Sequence, residues 1–281
     1  MRITGWLPGR QAPALVPGSR KGLVRRSADY RNTNVNFPTL AVRISELVKQ
    51  FPFLHKRLRR LYCLFHPGIR FHVEQTFRSQ KDIFVLKIGA NDGMTNDSIG
   101  EYLLSDSRYH GILVEPVPHY ARMLALNFEL TKRFSIDQVA VSNSSGQVKI
   151  YHIAENASEF LGKYVDVPAL RGVASLDRNH VLNHLGPEYQ SIVENETVEC
   201  VTVKELLERH HIERIDLLHI DAEGHDWIIL QQFDFNCFRP AIVLFERNQL
   251  KREDQEAARG MMQNAGYQVQ PMEMDFLCVL K

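Results

Sequence analysis

Cysteine is scarce in this sequence, and long apolar runs are missing. The chain of 281 residues has four cysteines, at positions 63, 200, 237 and 278, and none of them forms a CxxC pair. This scatter argues against a zinc site and fits reduced thiols in a cytosolic protein better than a disulfide framework. Because no stretch approaches eighteen apolar residues, the sequence also predicts no transmembrane helix. We therefore expect a cytoplasmic protein.

Two phosphate-binding signatures are absent as well. The nearest stretch, Gly89-Ala90-Asn91-Asp92-Gly93, follows a short apolar run, but its glycines stand four residues apart. It lacks the middle glycine that lets a pyrophosphate approach a helix N-terminus, which argues against NAD. It also lacks the Lys-Ser or Lys-Thr of a Walker loop. An NAD-linked oxidoreductase is thus a weak alternative, which a cofactor titration would test.

Acidic residues are rare near the N-terminus. Residues 1–70 carry fourteen Lys and Arg against two acids, a balance of +12, whereas the other 211 residues carry 20 bases and 31 acids, a balance of −11. This asymmetry indicates that the basic part is not one folding unit with the rest. We predict a disordered or loosely attached arm over 1–37, a basic amphipathic helical extension over 38–80, and a main domain over 81–281.

The basic extension allows several interpretations. We favour a helix that packs on the main domain with a solvated basic face. The alternatives are peripheral contact with an anionic membrane or binding of an acidic partner. No aromatic RNA-binding motif accompanies it, so no nucleic-acid partner is expected. The N-terminus has no secretory apolar core, although its Arg-rich, acid-poor composition overlaps with organelle transit peptides.

Apolar runs and helical segments alternate from residue 83 onward. The predicted strands are 83–88, 112–114, 136–141, 148–153, 215–220 and 241–245, with a closing pair at 267–271 and 276–280. The predicted helices are 97–104, 119–130, 203–210, 226–232 and 252–265. Such alternation predicts an α/β fold with a doubly wound, mostly parallel sheet of the Rossmann-like type. Residues 154–197 are less regular, and we predict a lid or a substrate-facing insertion there.

Acidic residues follow several of the predicted strands. Glu115 ends the second run, 22 residues after Gly93, where a carboxylate can accept hydrogen bonds from ribose hydroxyls. A glycine loop without a phosphate signature, combined with this acid, indicates S-adenosylmethionine. The plainer alternative is a tight turn with Asn91 in a left-handed conformation and a solvated glutamate.

A second acidic group follows the run that ends at Ile220. Asp221 and Glu223 would reach the same sheet edge as Gly89, and each could act as a general base or a hydroxyl clamp. His225 is a weaker catalytic candidate, and N-capping of a helix would explain Asp226. A magnesium site made of Asp221, Glu246 and Asn248 is an alternative that we do not favour. Treatment with EDTA would test it.

A family resemblance unites these segments. The segments IGANDG, VEP, QVAVSNSSG, ECVTVKELL, LLHIDAEGHD and PAIVLFE occur in this order between about residues 83 and 250. Together they resemble the FkbM-type S-adenosylmethionine-dependent methyltransferases. The resemblance implies the class I methyltransferase fold for residues 81–281. It also implies methylation of a hydroxyl on a saccharide or secondary metabolite.

The same resemblance implies roles for individual residues. The residues expected to bind the cofactor are Gly89, Ala90, Asn91 and Gly93 at the methionine part, Glu115 and Pro116 at the ribose, Ala140 and Val141 near the adenine, and Asp221 near the methyl group. Asp221 and Glu223 would face the acceptor. Lys87 departs from the family pattern, because many members have an acid there. A catalytically silent module with the same fold, docked through its basic arm, is the alternative function.

Overall fold

The computed structural model describes residues 68–95, 97–155, 157, 173–185 and 187–281. The predicted arm over 1–37 and the predicted extension as far as residue 67 lie outside the described residues. The domain boundaries and the interpretations of the basic arm therefore stay predictions.

The described residues form alternating strands and helices. The helices are α1 (Ile69–Thr76), α2 (Gly100–Ser105), α3 (Pro118–Phe128), α4 (Arg178–Leu185), α5 (Val203–Arg209), α6 (Asp226–Leu230) and α7 (Arg252–Asn264), with a 3₁₀ helix at Pro187–Ile192. The strands are β1 (Ile83–Ile88), β2 (Tyr109–Val114), β3 (Phe134–Asp137), β4 (Ala140–Val141), β5 (Gly146–Ile153), β6 (Ala174–Ser175), β7 (Val193–Val201), β8 (Leu217–Ile220), β9 (Ile242–Glu246), β10 (Tyr267–Met272) and β11 (Asp275–Leu280).

The main sheet has seven strands in the order β10-β11-β9-β8-β1-β2-β3. Strands β9, β8, β1, β2 and β3 are parallel to one another, whereas β11 pairs antiparallel with both β9 and β10. Apolar clusters cover both faces, one reaching α5, α6 and α7 and the other α1, α2 and α3. The predicted doubly wound, mostly parallel α/β sheet and its closing hairpin are confirmed. The parallel strands read as continuous apolar runs because both faces are covered.

A second sheet was not predicted. It has four strands in the order β4-β7-β5-β6, with β7 antiparallel to β5 along nearly its whole length. The predicted single strand over 136–141 is therefore wrong, since β3 belongs to the main sheet and β4 to the second one. The chain leaves the main sheet at Gln138 and Val139, between the two short strands.

Part of the predicted helical extension packs into the domain core. Ile69, Val73 and Phe77, on and just after α1, lie in the same buried cluster as Ile83 and Val85 of β1. In the part of the chain that the structure describes, the cysteines at positions 200, 237 and 278 are free thiols. No helix within that part combines the length and the apolar character needed to cross a membrane.

The order of the strands creates a switch point between β1 and β8. The chain proceeds from β1 toward β2 on one side and from β8 toward β9 on the other. Ligands of open α/β sheets bind beyond the carboxyl ends of the strands at such a point. We therefore expect a ligand-binding site at the loops that follow β1 and β8.

Candidate active site

The carboxyl edge of the main sheet gathers the residues singled out in the sequence. Gly89 follows β1, Glu115 follows β2, Asp221 follows β8, and Glu246 ends β9. These four strands are parallel and adjacent, so their carboxyl ends share one edge. The structure therefore brings the glycine loop and the acids together.

The two glycines of the loop are required by close packing. Gly89 has φ +80°, and a Cβ atom there would lie 1.8 Å from the backbone oxygen of Asp221. Gly93 has φ +76°, and its Cβ atom would lie 2.5 Å from the ring of Phe128 in α3. No side chain fits at either position, and both backbones adopt a left-handed conformation. The loop after β1 therefore touches the loop after β8 directly.

Glu115 holds the glycine loop from the neighbouring strand. Its Oε2 accepts a hydrogen bond from the backbone N–H of Asn91 at 2.8 Å, and its Oε1 accepts one from Val117 at 2.9 Å. Burial raises the pKa of Glu115 to about 7, while the two backbone N–H groups oppose the shift. Each carboxylate oxygen keeps a second lone pair for a ligand. Glu115 can therefore hold the loop and still accept a ribose hydroxyl.

Asn91 sits at the centre of this loop. It has φ +49°, the left-handed conformation that its short polar side chain tolerates. Its side-chain oxygen Oδ1 is buried and has no hydrogen-bond partner among the described residues. Ala90 beside it is buried, and Pro116 across the edge is partly exposed. Because buried polar atoms are normally paired, Asn91 Oδ1 is an acceptor that a bound donor could satisfy.

Asp221 is notable for the hydrogen bonds that its carboxylate lacks within the described part of the chain and for its raised pKa. Among the described residues, none donates a hydrogen bond to its carboxylate. Burial raises the pKa of Asp221 to about 7; the Lys87 ammonium opposes the shift and Glu223 adds to it. A carboxylate that titrates near neutral pH is suited to accept a proton from a substrate. The role of Asp221 as a base stays a prediction.

Glu223 is held in an unusual backbone conformation and contacts the insertion. Its φ is +47°, and Gly224 follows with φ +91°. The Glu223 Oε2 lies 3.2 Å from Nε2 of His180 in α4, and the Ser175 hydroxyl donates to the Glu223 carbonyl at 3.3 Å. A positive φ is uncommon for a residue other than glycine, and such residues are frequent at functional sites.

His180 was not singled out from the sequence. The only signal was its position within residues 154–197, predicted to be a lid or a substrate-facing insertion. Its side chain is mostly buried, with 16% exposed, and Gly224 lies beside its ring. The described part of this insertion therefore does pack over the loop that follows β8.

His225 and Asp226 lie at the start of α6 and have different hydrogen-bond partners. His225 precedes α6 and places its Nε2 3.1 Å from the Ser142 hydroxyl, and burial lowers its pKa. The predicted N-cap role of Asp226 is wrong. Its carboxylate instead accepts the N–H groups of Ala222 at 3.3 Å and Glu246 at 3.1 Å. Asp226 is fully buried and ties the loop after β8 to the end of β9.

Ala140 and Val141 form the short strand β4. Both are buried in apolar clusters, with 3% and 6% of their surface exposed. They position Ser142, whose N–H donates to the Val201 carbonyl and whose hydroxyl meets His225. A contact with adenine at these positions stays a prediction.

Glu246, at the end of β9, is buried. Only 7% of it is exposed, and its Oε2 is buried with no hydrogen-bond partner among the described residues. Burial raises its pKa to about 9, and the charges of Glu223 and Asp221 add to the shift. Asn248 is exposed. Within the described ranges, no group of three or more His, Cys, Asp or Glu side chains is arranged to hold a metal ion. The magnesium site made of Asp221, Glu246 and Asn248 stays an alternative that we do not favour.

Lys87, the departure noted in the sequence, is buried beneath the edge. Its Nζ lies 3.2 Å from Asp97 Oδ2 and 2.9 Å from His219 Nδ1. His219 is buried, as expected for a core histidine, and its partner is a lysine. Where the resemblance implies an acid, this chain has a lysine that is paired with the Asp97 carboxylate.

Comparisons with known proteins agree with the sequence resemblance. The model of the methyltransferase FkbM domain matches residues 87–269, more than half of the chain. Among curated proteins, none matches significantly.

Solved structures give weaker likenesses. Fibrillarin, a pre-rRNA processing protein of Methanococcus jannaschii, is 10% identical, with a TM-score of 0.37 over 71% of this chain and 67% of that one. A precorrin-6y C5,15-methyltransferase from Geobacter metallireducens GS-15 is 10% identical, with a TM-score of 0.40 over 75% and 85%. A ribosomal protein L11 methylase from Lactobacillus delbrueckii subsp. bulgaricus is 8% identical, with a TM-score of 0.35 over 72% of each. At such TM-scores these likenesses carry no argument about function.

Proposed function

Because the chain belongs to the FkbM methyltransferase family, we propose that it transfers the methyl group of S-adenosylmethionine to a hydroxyl oxygen of a saccharide or secondary metabolite. One observation carries the proposal. The glycine loop packs directly on the backbone of Asp221, so the expected cofactor loop and the expected base are in contact. Methyl transfer requires the bound cofactor and the base to lie close to each other.

The polar groups at the edge fit the cofactor. Asn91 Oδ1 is a buried acceptor with no partner among the described residues, which suits the amino group of the methionine part. Glu115 has a free lone pair on each oxygen for ribose hydroxyls. The absence of a phosphate-binding motif fits a nucleoside that carries no phosphate. When bound, S-adenosylmethionine supplies a methyl group on a positively charged sulfur.

The protein's part in the transfer is positioning and proton removal. Asp221 accepts the proton of the acceptor hydroxyl, for which its pKa of about 7 is suitable. Glu223 and His180 lie on the side where the insertion covers the loop, and they orient the acceptor hydroxyl by hydrogen bonds. Asp226 fixes the loop so that Asp221 stays beside Gly89.

Calorimetry tests cofactor binding first. Titration with S-adenosylmethionine should give a single saturating heat, and titration with NAD should give none. Heat with NAD alone would instead favour the oxidoreductase alternative. Absence of heat with S-adenosylmethionine would contradict the proposed function and favour a catalytically silent module.

Methyl transfer from labelled cofactor to fractionated cell extracts tests the acceptor. With a ¹³C-methyl cofactor, the product spectrum distinguishes a methyl on oxygen from one on nitrogen or carbon. A product methylated on nitrogen or carbon would refute the proposed hydroxyl acceptor.

The same assay tests the magnesium alternative. Exhaustive EDTA treatment should leave the rate unchanged. A loss that added Mg²⁺ restores would instead assign Asp221, Glu246 or Asn248 to a metal.

A further inference from the structure

The buried trio of Lys87, Asp97 and His219 joins two parts of the site that are far apart in sequence. The side chain of Lys87 is 3% exposed and that of Asp97 is 4% exposed. His219 lies in β8, directly opposite Lys87 in the register of β1 and β8. An ammonium group buried this deeply needs partners, and it has one on each side. Lys87 therefore connects the segment that contains Asp97, after the glycine loop, with β8, the strand that Asp221 follows.

Asp97 connects Lys87 to the far end of the glycine loop. Its Oδ1 accepts the backbone N–H groups of Ile99 at 2.9 Å and Gly100 at 3.0 Å, which fixes the chain at the start of α2. Gly100 in turn packs so closely on Gly93 that a Cβ atom there would lie 2.1 Å from the Gly93 carbonyl oxygen. Asp97 is thus fixed on one side to Lys87 and on the other to the far end of the loop.

His219 lies in β8, the strand that leads to Asp221. Burial, with a further effect of the Lys87 charge, lowers the pKa of His219 to about 3, so the ring is neutral at physiological pH. Because a lysine ammonium can only donate hydrogen bonds, we assign Nδ1 of His219 as the acceptor and place the ring proton on Nε2. His219 is two residues before Asp221 on the same short strand and its continuation.

We infer that Lys87 is a positioning residue, whose ammonium group holds Asp97 and His219 together and thereby fixes the glycine loop against the strand end that carries Asp221. The cofactor pocket is then formed before any ligand enters. The inference rests on the proposed function for the identity of that ligand. The contacts that join Lys87, Asp97 and His219, which we call the clamp, exist in the ligand-free chain and can be measured there.

The test replaces the clamp without leaving a charge buried alone. Lys87→Met by itself would strand the Asp97 carboxylate in the core, so the informative variant combines Lys87→Met with Asp97→Asn. Removing both partners of a buried ion pair is often close to neutral for stability. The dissociation constant for S-adenosylmethionine, measured by calorimetry, should rise about tenfold, because the loop is no longer preorganised.

A matched control separates positioning from general loosening of the core. Leu113 of β2 lies opposite Lys87 in register and is fully buried, and it makes no polar contact. Leu113→Ala should lower the melting temperature more than the double variant does, yet leave the dissociation constant within twofold of the original. An equal loss of affinity in both variants would overturn the inference.

Two readouts need no cofactor. Amide hydrogen exchange over residues 89–95 should be faster in the double variant and unchanged in Leu113→Ala. The ¹⁵N spectrum of labelled histidine should show His219 as the Nε2–H tautomer in the original chain. Unchanged loop exchange in a folded double variant would refute the inference. If the original chain binds no S-adenosylmethionine, the proposed function fails, and these two readouts still decide the role of Lys87.

Discussion

At the scale of single residues, the proposed chemistry depends on two acids at the carboxyl edge of the main sheet, Glu115 and Asp221. Acids that follow buried strands can be assigned to one sheet edge, and the structure places Glu115 and Asp221 there. The partner of Lys87 could not be read in the same way, because His219 is 132 residues away in the chain. The reason why residue 89 is a glycine could not be predicted either. A turn that approaches a ligand and a turn that approaches another loop have the same sequence pattern.

Replacement of Asp221 tests the proposed base. Asp221→Asn keeps the size of the side chain and removes its ability to take a proton. We expect kcat to fall by about a hundredfold or more, with the dissociation constant of S-adenosylmethionine changed little. Steady-state kinetics and calorimetry measure the two quantities. Asp177→Asn, at an exposed position before α4, is the control that should change neither. A retained kcat in Asp221→Asn would remove it from the proton-transfer step.

Replacement of Glu115 tests the ribose contact, and the structure decides which variant is useful. Glu115→Ala would leave the buried N–H groups of Asn91 and Val117 unpaired, at about 1–3 kcal/mol each, and would confuse binding with stability. Glu115→Gln keeps one acceptor oxygen. It should weaken cofactor binding about tenfold by calorimetry, with a smaller loss of melting temperature than Glu115→Ala shows. Glu129→Gln, at an exposed position, is the control. Unchanged affinity would mean that the ribose lies elsewhere.

At the scale of elements, the fully buried strands were easy to predict and the half-exposed strand β7 was missed. Strands β8 and β9 are buried at every position, and their apolar runs are obvious. Strand β7 reads Val-Glu-Asn-Glu-Thr-Val-Glu-Cys-Val and buries only Val198, Cys200 and Val201. Buried and exposed residues alternate toward its end, which is the period-two pattern of a strand with one solvent-exposed face. Strand β7 was missed because its first part carries charged and polar residues, and without β7 the predicted strand over 148–153 had no partner that would reveal a second sheet.

Helix α4 gives an element-scale prediction. Its His180 connects the insertion to Glu223, on the side proposed for the acceptor. His180→Ala should raise the KM for the acceptor several-fold, because the hydroxyl loses an orienting group, and leave cofactor affinity unchanged. Asn179→Ala, its exposed neighbour on the same helix, is the matched control. If both variants behave alike, α4 does not face the acceptor.

At the scale of the whole molecule, charge is distributed unevenly. The basic excess of residues 1–70 and the acidic excess of the remainder were evident from the sequence. The concentration of buried acids at one sheet edge was evident only once the strand order was known. Burial raises the pKa of Glu246 and Asp226 far above that of a free carboxyl group, and neighbouring carboxylates add to both shifts. The membrane contact of the basic arm stays a proposal, which binding to anionic vesicles at low and high salt would test.

These shifts predict how the stability of the ligand-free protein depends on pH. The pKa of Glu246 is about 9 in the folded chain and near its ordinary value of 4.5 when unfolded. Between these values the folded state holds a proton that the unfolded state has lost, so stability falls as pH rises. Between pH 7 and 9 the buried His219 does not interfere, because its folded pKa of about 3 and its unfolded value of 6.5 both lie below the window.

The prediction is a loss of unfolding free energy between pH 7 and pH 9, measured by urea denaturation. Each proton retained by the folded state contributes a slope of about 1.4 kcal/mol per pH unit. Glu246→Gln removes one such proton and should make the decline shallower, with the gain in stability largest at pH 9. Glu256→Gln, on the exposed side of α7, should reproduce the original slope. A slope in Glu246→Gln equal to that of the original chain would mean that Glu246 is already ionised at pH 7. The sheet edge would then carry a full negative charge when the positively charged cofactor binds.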